Sequence, residues 1–281
     1  MCIRDSYNGV TGHKTTVGLW PSDGVFPLSA TFDSIGPICR TASDASLIHT
    51  VVTAEPQNPA VSLNGLRLAI PGPIFCDDID PQVAESFNVA KDKLTSAGAH
   101  ITDVDVPETA ERNNLFPLIV GSEIITALTP QGFERAAPKM DPVTRTRASI
   151  GLDVQAHDYL VALKRVRELK NIVRKKFNDC DAWITPTCLM LPAPLTEIEQ
   201  SPGLSERALL SSRNTMPVNI FELCATTLPM QQAAAALPSG LQLIMPGGQD
   251  SRLLATSEAI EQCLQSGAPR QTANISQFIA P

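Results

Sequence analysis

Between Ala156 and Asn178 apolar side chains return every three or four positions. Tyr159, Leu160, Leu163, Val166, Leu169, Ile172, Val173 and Phe177 fall on one stripe, the spacing of a helix that buries one face. This is the strongest helical pattern in the chain. "DIDPQVAESFNVAKDKLTSAG" reads as a second helix, with Asp80 suited to the N-cap, Pro81 to the first turn and Gly98 to the stop. Asp44 suits the cap of a third, whose apolar face is Ala45, Leu47, Ile48, Val51 and Val52. Strands are expected at "LRLAIPG" (66–72), at the period-two run "HITDVDVPE" (100–108) and at "DAWITPT" (181–187). The first two flank a helix and so make a βαβ unit.

Elsewhere the pattern is looser. Residues 6–54 alternate short extended pieces with Gly and Pro turns before the Asp44 helix. Residues 109–155 look helical but irregular, with little order in "ERAAPKMDPVTRTRASIG". A Pro-rich loop and a short helix at about 205–213 lead to "GLQLIMPGGQDSRLLATSEAIEQCL", a strand, a Gly turn and a helix beginning near Asp250. Alternating strands and helices place the chain in the α/β class.

Composition narrows the function more than the fold. The 281 residues are 43% hydrophobic and 18% charged, ordinary for a globular protein. A net charge of −7 speaks against nucleic acid as a direct partner. No apolar run approaches the roughly 20 residues that span a bilayer, and the N-terminus has no apolar signal region. A cytoplasmic protein is expected, without a membrane partner. Seven scattered cysteines with no CxxC pair suggest reduced thiols, not a zinc site or a disulfide framework.

The familiar catalytic motifs are missing: no G-x-S-x-G, P-loop, dinucleotide fingerprint or H-E-x-x-H occurs. His13, His49, His100 and His157 are isolated and read as turn or surface residues. Asp77, Asp78 and Asp80 crowd together, but acidic groups belong at a helix N-terminus. The seven basic residues of "KRVRELKNIVRKK" (164–176) fit the solvated face of an amphipathic helix better than an RNA site. Lys14 reads as structural. Residues alone therefore give an α/β protein without a complete catalytic set.

"YNGVTGHKTTVGLWPSDGVFPLSATFDSIGPICRTASDASLI" resembles the motif region of amidase signature enzymes. The matching positions are Asn8, Gly9, Gly12, Lys14, Pro27, Leu28, Ser29, Asp33, Gly36, Pro37, Arg40, Thr41 and Asp44. "DAWITPTCLMLPAP" and "PSGLQLIMPGGQDSRLL" resemble later elements of the same family. The resemblance implies an α/β/α sandwich around a mixed central sheet. It also implies hydrolysis of a small-molecule amide by a nucleophilic Ser, a cis-peptide Ser and a neutral Lys, with no cofactor and no metal. A Ser hydroxyl needs an adjacent base to attack, and a non-proline cis bond persists only where the fold enforces it.

In that family the nucleophile stands eight residues before the position of Asn8. Counting back lands one residue before Met1, and the cis-Ser and base Lys lie further upstream. No catalytic residue is therefore assigned: Lys14, Ser6, Ser29 and Ser34 do not occupy triad positions, and Arg4 in "CIRDS" has the wrong spacing. "MCIRD" also reads as a translated transposon-type sequencing adaptor. The expectation is thus a non-native Met1–Asp5 joined to residues 6–281, the C-terminal part of a single amidase domain, incomplete at its N-terminus and inactive alone. The alternatives are the A-type glutaminase subunit of a tRNA-dependent amidotransferase, with Arg147 as a substrate-binding residue, and a non-catalytic α/β scaffold. A homodimer and amidotransferase-like partner subunits both stay open.

Overall fold

In chain order the strands are β1 (Thr11–Lys14), β2 (Ile38–Cys39), β3 (Arg67–Pro71), β4 (His100–Val104), β5 (Ala182–Pro186), β6 (Leu223–Pro229) and β7 (Gly240–Pro246). The computed structural model describes residues 2–194, 210–230 and 237–265. Within these the strands form one mixed sheet in the order β2-β1-β6-β7-β5-β3-β4. β3 runs parallel to β4 and β5, and the remaining neighbours are antiparallel.

The helices are α1 (Cys2–Asn8), α2 (Ala42–Thr53), α3 (Pro81–Ser96), α4 (Arg112–Leu128), α5 (Pro130–Ala136), α6 (Pro142–Ser149), α7 (Ala156–Lys175), α8 (Met216–Ile220) and α9 (Asp250–Gln265). They cover both sides of the sheet. Successive strand residues point to opposite faces, which divides the core in two. Leu68, Ile184, Leu228, Leu241, Leu243 and Met245 pack with Phe87 and Leu94 of α3 and Leu253 and Ile260 of α9. Ala69, Trp183, Ala225 and Ile244 pack on the other side with Ile119 of α4, Val166 and Leu169 of α7 and Ile220 of α8. Each large aliphatic side chain so buried contributes about 1.5–3 kcal/mol. The result is the three-layer α/β/α arrangement that the sequence resemblance implied.

The βαβ unit forms as read. Asp80 accepts from Gln82 N at 2.8 Å as the α3 cap, Pro81 opens the helix, and Gly98 turns the chain with φ +96°. β3 and β4 then pair in parallel from Arg67–His100 to Pro71–Val104.

Several expectations need correction. Thr41, not Asp44, caps α2, its hydroxyl accepting from Asp44 N at 3.1 Å. That helix buries Ala42, Ala45, Ser46 and His49 and exposes Leu47, Ile48, Val51 and Val52, so of the face chosen by hydrophobicity only Ala45 lies inside. His13 and His49 are buried at 0% and 2% exposure because each finds polar partners inside, described below. β6 escapes the pattern: "LCATTLP" mixes small, apolar and Thr residues because both of its faces are covered. The stripe on α7 is rotated, with Ala162 inside and Leu160 outside. Residues 205–209 of the short helix expected at 205–213 lie outside the described residues.

The basic residues of α7 do form a solvated face. Arg165 pairs with Glu111 at 2.7 Å and Glu168 at 3.0 Å, and Lys170 with Glu222 at 2.5 Å.

One close backbone approach holds α4 against the turn after α6. A Cβ on Gly151 would collide with the Gly121 carbonyl, and one on Gly121 would stand 2.9 Å from Gly151 N. Neither obstacle is the end of a flexible side chain. Gly151→Ala is expected to lower stability by about 1–3 kcal/mol, the range for overpacking a tight contact. Urea denaturation checks this; an unchanged midpoint would refute the approach.

Candidate functional site

A cavity of about 210 Å³ opens on the α4–α8 side of the sheet. β1 and β7 supply its floor through Lys14 and Gln242, and α1 reaches it through Cys2. One wall is apolar: Phe116 and Val120 from α4, Val218 from α8, and Phe32. Phe32 and Phe116 stack with centroids 5.4 Å apart and planes 11° apart. Facing them, Ser29, Asp33 and Ser34 of the loop between β1 and β2 and Thr215 and Asn219 near α8 offer polar atoms.

The loop is held by two carboxylates. Asp33 Oδ2 accepts from Leu28 N at 2.8 Å and Ser29 N at 3.0 Å. Glu123 of α4 gathers Ser29 Oγ, Thr31 N at 3.1 Å, Thr31 Oγ1 at 2.5 Å and Tyr159 OH at 2.6 Å. Burial pushes the Glu123 carboxyl up, but the bonds from Ser29, Thr31 and Tyr159 outweigh it and leave it below the usual carboxylate range. Ser29 Oγ also accepts from Phe32 N at 3.2 Å. That hydroxyl is committed to holding the loop, so Ser29 is not poised as a nucleophile.

The floor is polar and buried. Lys14 Nζ donates to Thr15 O at 3.0 Å and Leu223 O at 3.2 Å, tying β1 to β6. Burial holds its ammonium below the ordinary lysine range. Gln242 Nε2 donates to Thr185 Oγ1 at 3.2 Å and Asn214 O at 3.1 Å. Asn214 Nδ2 in turn donates to Phe75 O and Pro186 O at 3.0 and 2.7 Å. Gln242 Oε1 and Asn214 Oδ1 are buried without partners among the described residues. Of these two residues only Gln242 lines the cavity.

A second buried polar group lies on the opposite face and is structural. His13 Nδ1 shares a hydrogen bond with Thr226 Oγ1 at 3.1 Å, and its Nε2 stands 3.2 Å from Asp250 Oδ1. Asp250 also accepts from Thr16 N at 2.8 Å and Thr16 Oγ1 at 2.5 Å. Burial keeps His13 below the usual imidazole range despite that carboxylate. His49 packs edge-on at 6.0 Å from the His13 ring. The group clamps β1 to the start of α9.

Of the residues singled out from sequence, the structure brings Lys14, Leu28, Ser29, Asp33 and Ser34 to the cavity. Arg147 lies exposed on α6, its carbonyl against Gly121, one residue after Val120. It is not among the residues lining the cavity. Asp78 pairs with Arg213 at 3.5 Å. Among the described residues no cluster of His, Cys, Asp or Glu is placed to hold a metal ion, and no helix is long and apolar enough to cross a membrane. Sequence reasoning missed Glu123, Asn214 and Gln242 as site residues. Only the run around Gln242 carried a signal, through the family resemblance of "PSGLQLIM".

A family model described as Amidase matches residues 5–254. A relative described as 2-amino-5-chloromuconic acid deaminase, from Comamonas testosteroni, is 32% identical over 271 residues, covering 94% of this chain and 58% of its own length. An A-type subunit of glutamyl-tRNA(Gln) amidotransferase, from Clostridium acetobutylicum, is 24% identical, covering 92% of this chain and 61% of its own. Among solved structures, one described as an amidase superposes with a TM-score of 0.82 at 21% identity, over 93% of this chain and 60% of that one. The chain thus spans about three fifths of the length of these relatives.

Glu123→Gln removes the charge that gathers the loop. The wild-type carboxyl is held below its usual range, so its contribution is present above the unfolded-state pKa and is lost as pH falls through the folded one. The substitution is expected to destabilise at pH 7, and the difference from wild type to shrink as pH drops below about 4. Thermal melts of both proteins from pH 3 to 8 check this; a gap independent of pH would refute the role.

Proposed function

The chain belongs to the Amidase family, and from that premise we propose that it is the C-terminal part of a hydrolase of small-molecule carboxamides. The observation that carries the reading is the cavity. The loop bearing the family-like "FPLSATFD" run lines it, and Cys2 stands at its edge. The family pattern puts the nucleophile eight residues before Asn8, two positions upstream of Cys2, which lines the cavity. In the intact enzyme the serine would attack the carbonyl and expel the amine, and water would release the acid from the acyl-enzyme. This chain supplies the wall against which the acyl group lies, Phe32, Phe116 and Val120. A volume of about 210 Å³ is below the range for drug-sized ligands and suits a small substrate. The relative at 32% identity described as a deaminase supports release of nitrogen from a small molecule.

The reading as an amidotransferase glutaminase is the second. It rests on the relatives so described and on Arg147, which would meet a glutamine carboxylate only if α6 turned it toward Val120. Glutaminase activity that depends on partner subunits would favour it.

Alone, the 281-residue chain is expected to release no ammonia from acetamide, propionamide or succinamate. The intact gene, recovered with its upstream sequence, is expected to hydrolyse small amides and to yield a hydroxylamine-trappable acyl-enzyme. Ammonia release by the chain alone would overturn its inactivity. Failure of the intact protein on every small amide would overturn the amidase reading.

Asp5 supports a non-native Met1–Asp5. Its carboxyl is fully buried and both oxygens lack partners. Burial raises its pKa from 3.8 to about 6. The folded chain therefore favours the protonated form, so there is no penalty below about pH 4 and a full one above about pH 6, on the order of 2–3 kcal/mol. Asp5→Ala is expected to raise stability at pH 7 and to raise it less at pH 4; equal melting of the two proteins at pH 7 would count against the junction.

A further inference from the structure

A second cavity, of about 450 Å³, lies on the α3 side of the sheet and shares no lining residue with the first. It opens at the carboxyl ends of the parallel strands β3 and β4, the end at which open α/β sheets take their ligands. Phe87, Asn88 and Lys91 of α3 line it, and their spacing of three and four puts them on one helix face. Ile70 and Asp103 line it from the strands, where they are register partners and so point to the same side of the sheet. Cys76 and Ile79 of the turn after β3 close it. That turn is fixed in advance. Cys76 N donates to Pro73 O at 2.7 Å and Asp80 N to Leu189 O at 2.8 Å, while Asn214 Nδ2 holds Phe75 O at 3.0 Å.

Two of the lining side chains carry charges of opposite sign. Lys91 Nζ stands 5.2 Å from the centroid of the Phe87 ring, whose face attracts the cation and holds it against the apolar wall. Among the described residues Lys91 makes no ion pair or hydrogen bond, and neither does Asp103, although both line the same cavity. Elsewhere on the surface the long cations find carboxylates, as Arg165 and Lys170 do. A mostly apolar lining with a few polar groups, in a volume of this size, is the usual make-up of a small-molecule site. The charges narrow the ligand. A simple acid would be repelled by Asp103 and a simple amine by Lys91. A molecule bearing both a carboxylate and an ammonium satisfies the two together, and its apolar remainder covers Ile70, Ile79 and Phe87.

We propose that this second cavity binds a free α-amino acid with a large apolar side chain, at a site separate from the one that takes the amide. The carboxylate lies against Lys91, with the Asn88 amide as a further donor, and the ammonium against Asp103. The side chain fills the space between α3 and the turn. Burial pushes the Cys76 thiol up in spite of Lys91, so its sulfur stays protonated and serves as apolar wall, not as a nucleophile. The inference does not rest on how the first cavity is read.

Calorimetric titration of the purified 281-residue chain with L-phenylalanine tests this. L-Phenylalanine is expected to bind about tenfold more tightly, or better, than each of three fragments of itself. These are 3-phenylpropionate, which lacks the ammonium, phenethylamine, which lacks the carboxylate, and glycine, which lacks the side chain. Lys91→Gln is expected to erase the preference over phenethylamine, and Asp103→Asn the preference over 3-phenylpropionate. Both side chains reach solvent, so both variants are expected to melt where the wild type does. Should either fail to fold, the other variant and the comparison of fragments on the wild type carry the test. Absence of L-phenylalanine binding, or any fragment matching it on the wild type, would overturn the proposal. So would a preference that survives its own substitution in a folded variant, because the amino acid would then be bound elsewhere.

Discussion

Everything in this molecule hangs on the antiparallel pairing of β6 with β7 at the centre of the sheet. Leu223–Leu228 and Gly240–Pro246 are buried throughout, so neither strand has a solvent face. A one-residue slip in such a pair would exchange the two faces completely. Leu241, Leu243 and Met245 would leave the α3–α9 core, and Gln242 would enter it as an amide without partners. The register Thr227–Gln242 therefore settles which side carries the cavity. β1 inherits the choice through its pairing with β6. Lys14 joins the cavity floor and His13 the clamp around Asp250, although the two are adjacent in sequence.

The buried and half-buried charges divide by how they are compensated. Asp250, Glu123 and Asp181 each collect several donors. Asp181 takes Arg67 N at 2.9 Å, the Arg67 guanidinium at 3.1 Å and Arg252 at 3.0 Å, and its carboxyl is held below the usual range although burial alone would raise it. Such groups join distant segments at little risk, because their lone pairs are used. Asp5 and Arg112 lack that support. Both sit on the cavity side of the sheet, one in α1 and one at the start of α4.

The parts of the fold legible in the sequence are those with one covered face or a strong end signal. α3 is bounded by Asp80, Pro81 and Gly98, and β4, at the sheet edge, keeps only Ile101 and Val104 half-covered. β6 is invisible because burial on both sides removes the alternation. The exposed apolar face of α2 misleads for a related reason: hydrophobicity reports a wish for cover, not which neighbour provides it. His13 and His49 look peripheral because their partners, Asp250 and Ser251, lie more than 200 residues away. The site is half legible. The motif resemblance marks the loop around Ser29, but Glu123, which holds that loop from 94 residues on, belongs to no short pattern.

The seat of α1 separates what belongs to the fold from what merely occupies it. Gly12 and Gly240 leave the sheet bare where the helix lies down. A Cβ on Gly240 would meet Thr227 Cγ2 at 2.6 Å and the Ser6 and Thr187 hydroxyls at 2.9 Å, and one on Gly12 would strike the Asp5 carboxylate. Neither glycine is needed for a left-handed backbone; each is required by the close approach of another segment. The missing side chains thus hollow out a place for chain beside the cavity, and they do so from within β1 and β7. Asp5 fills that place without a hydrogen-bond partner for its carboxylate. A helix whose own residues matched the surrounding Thr185, Thr187, Thr227 and Gln242 would sit there without that penalty and would bring its first residues to the cavity rim at Cys2. The groove is therefore a property of Gly12 and Gly240, whatever side chains come to lie in it.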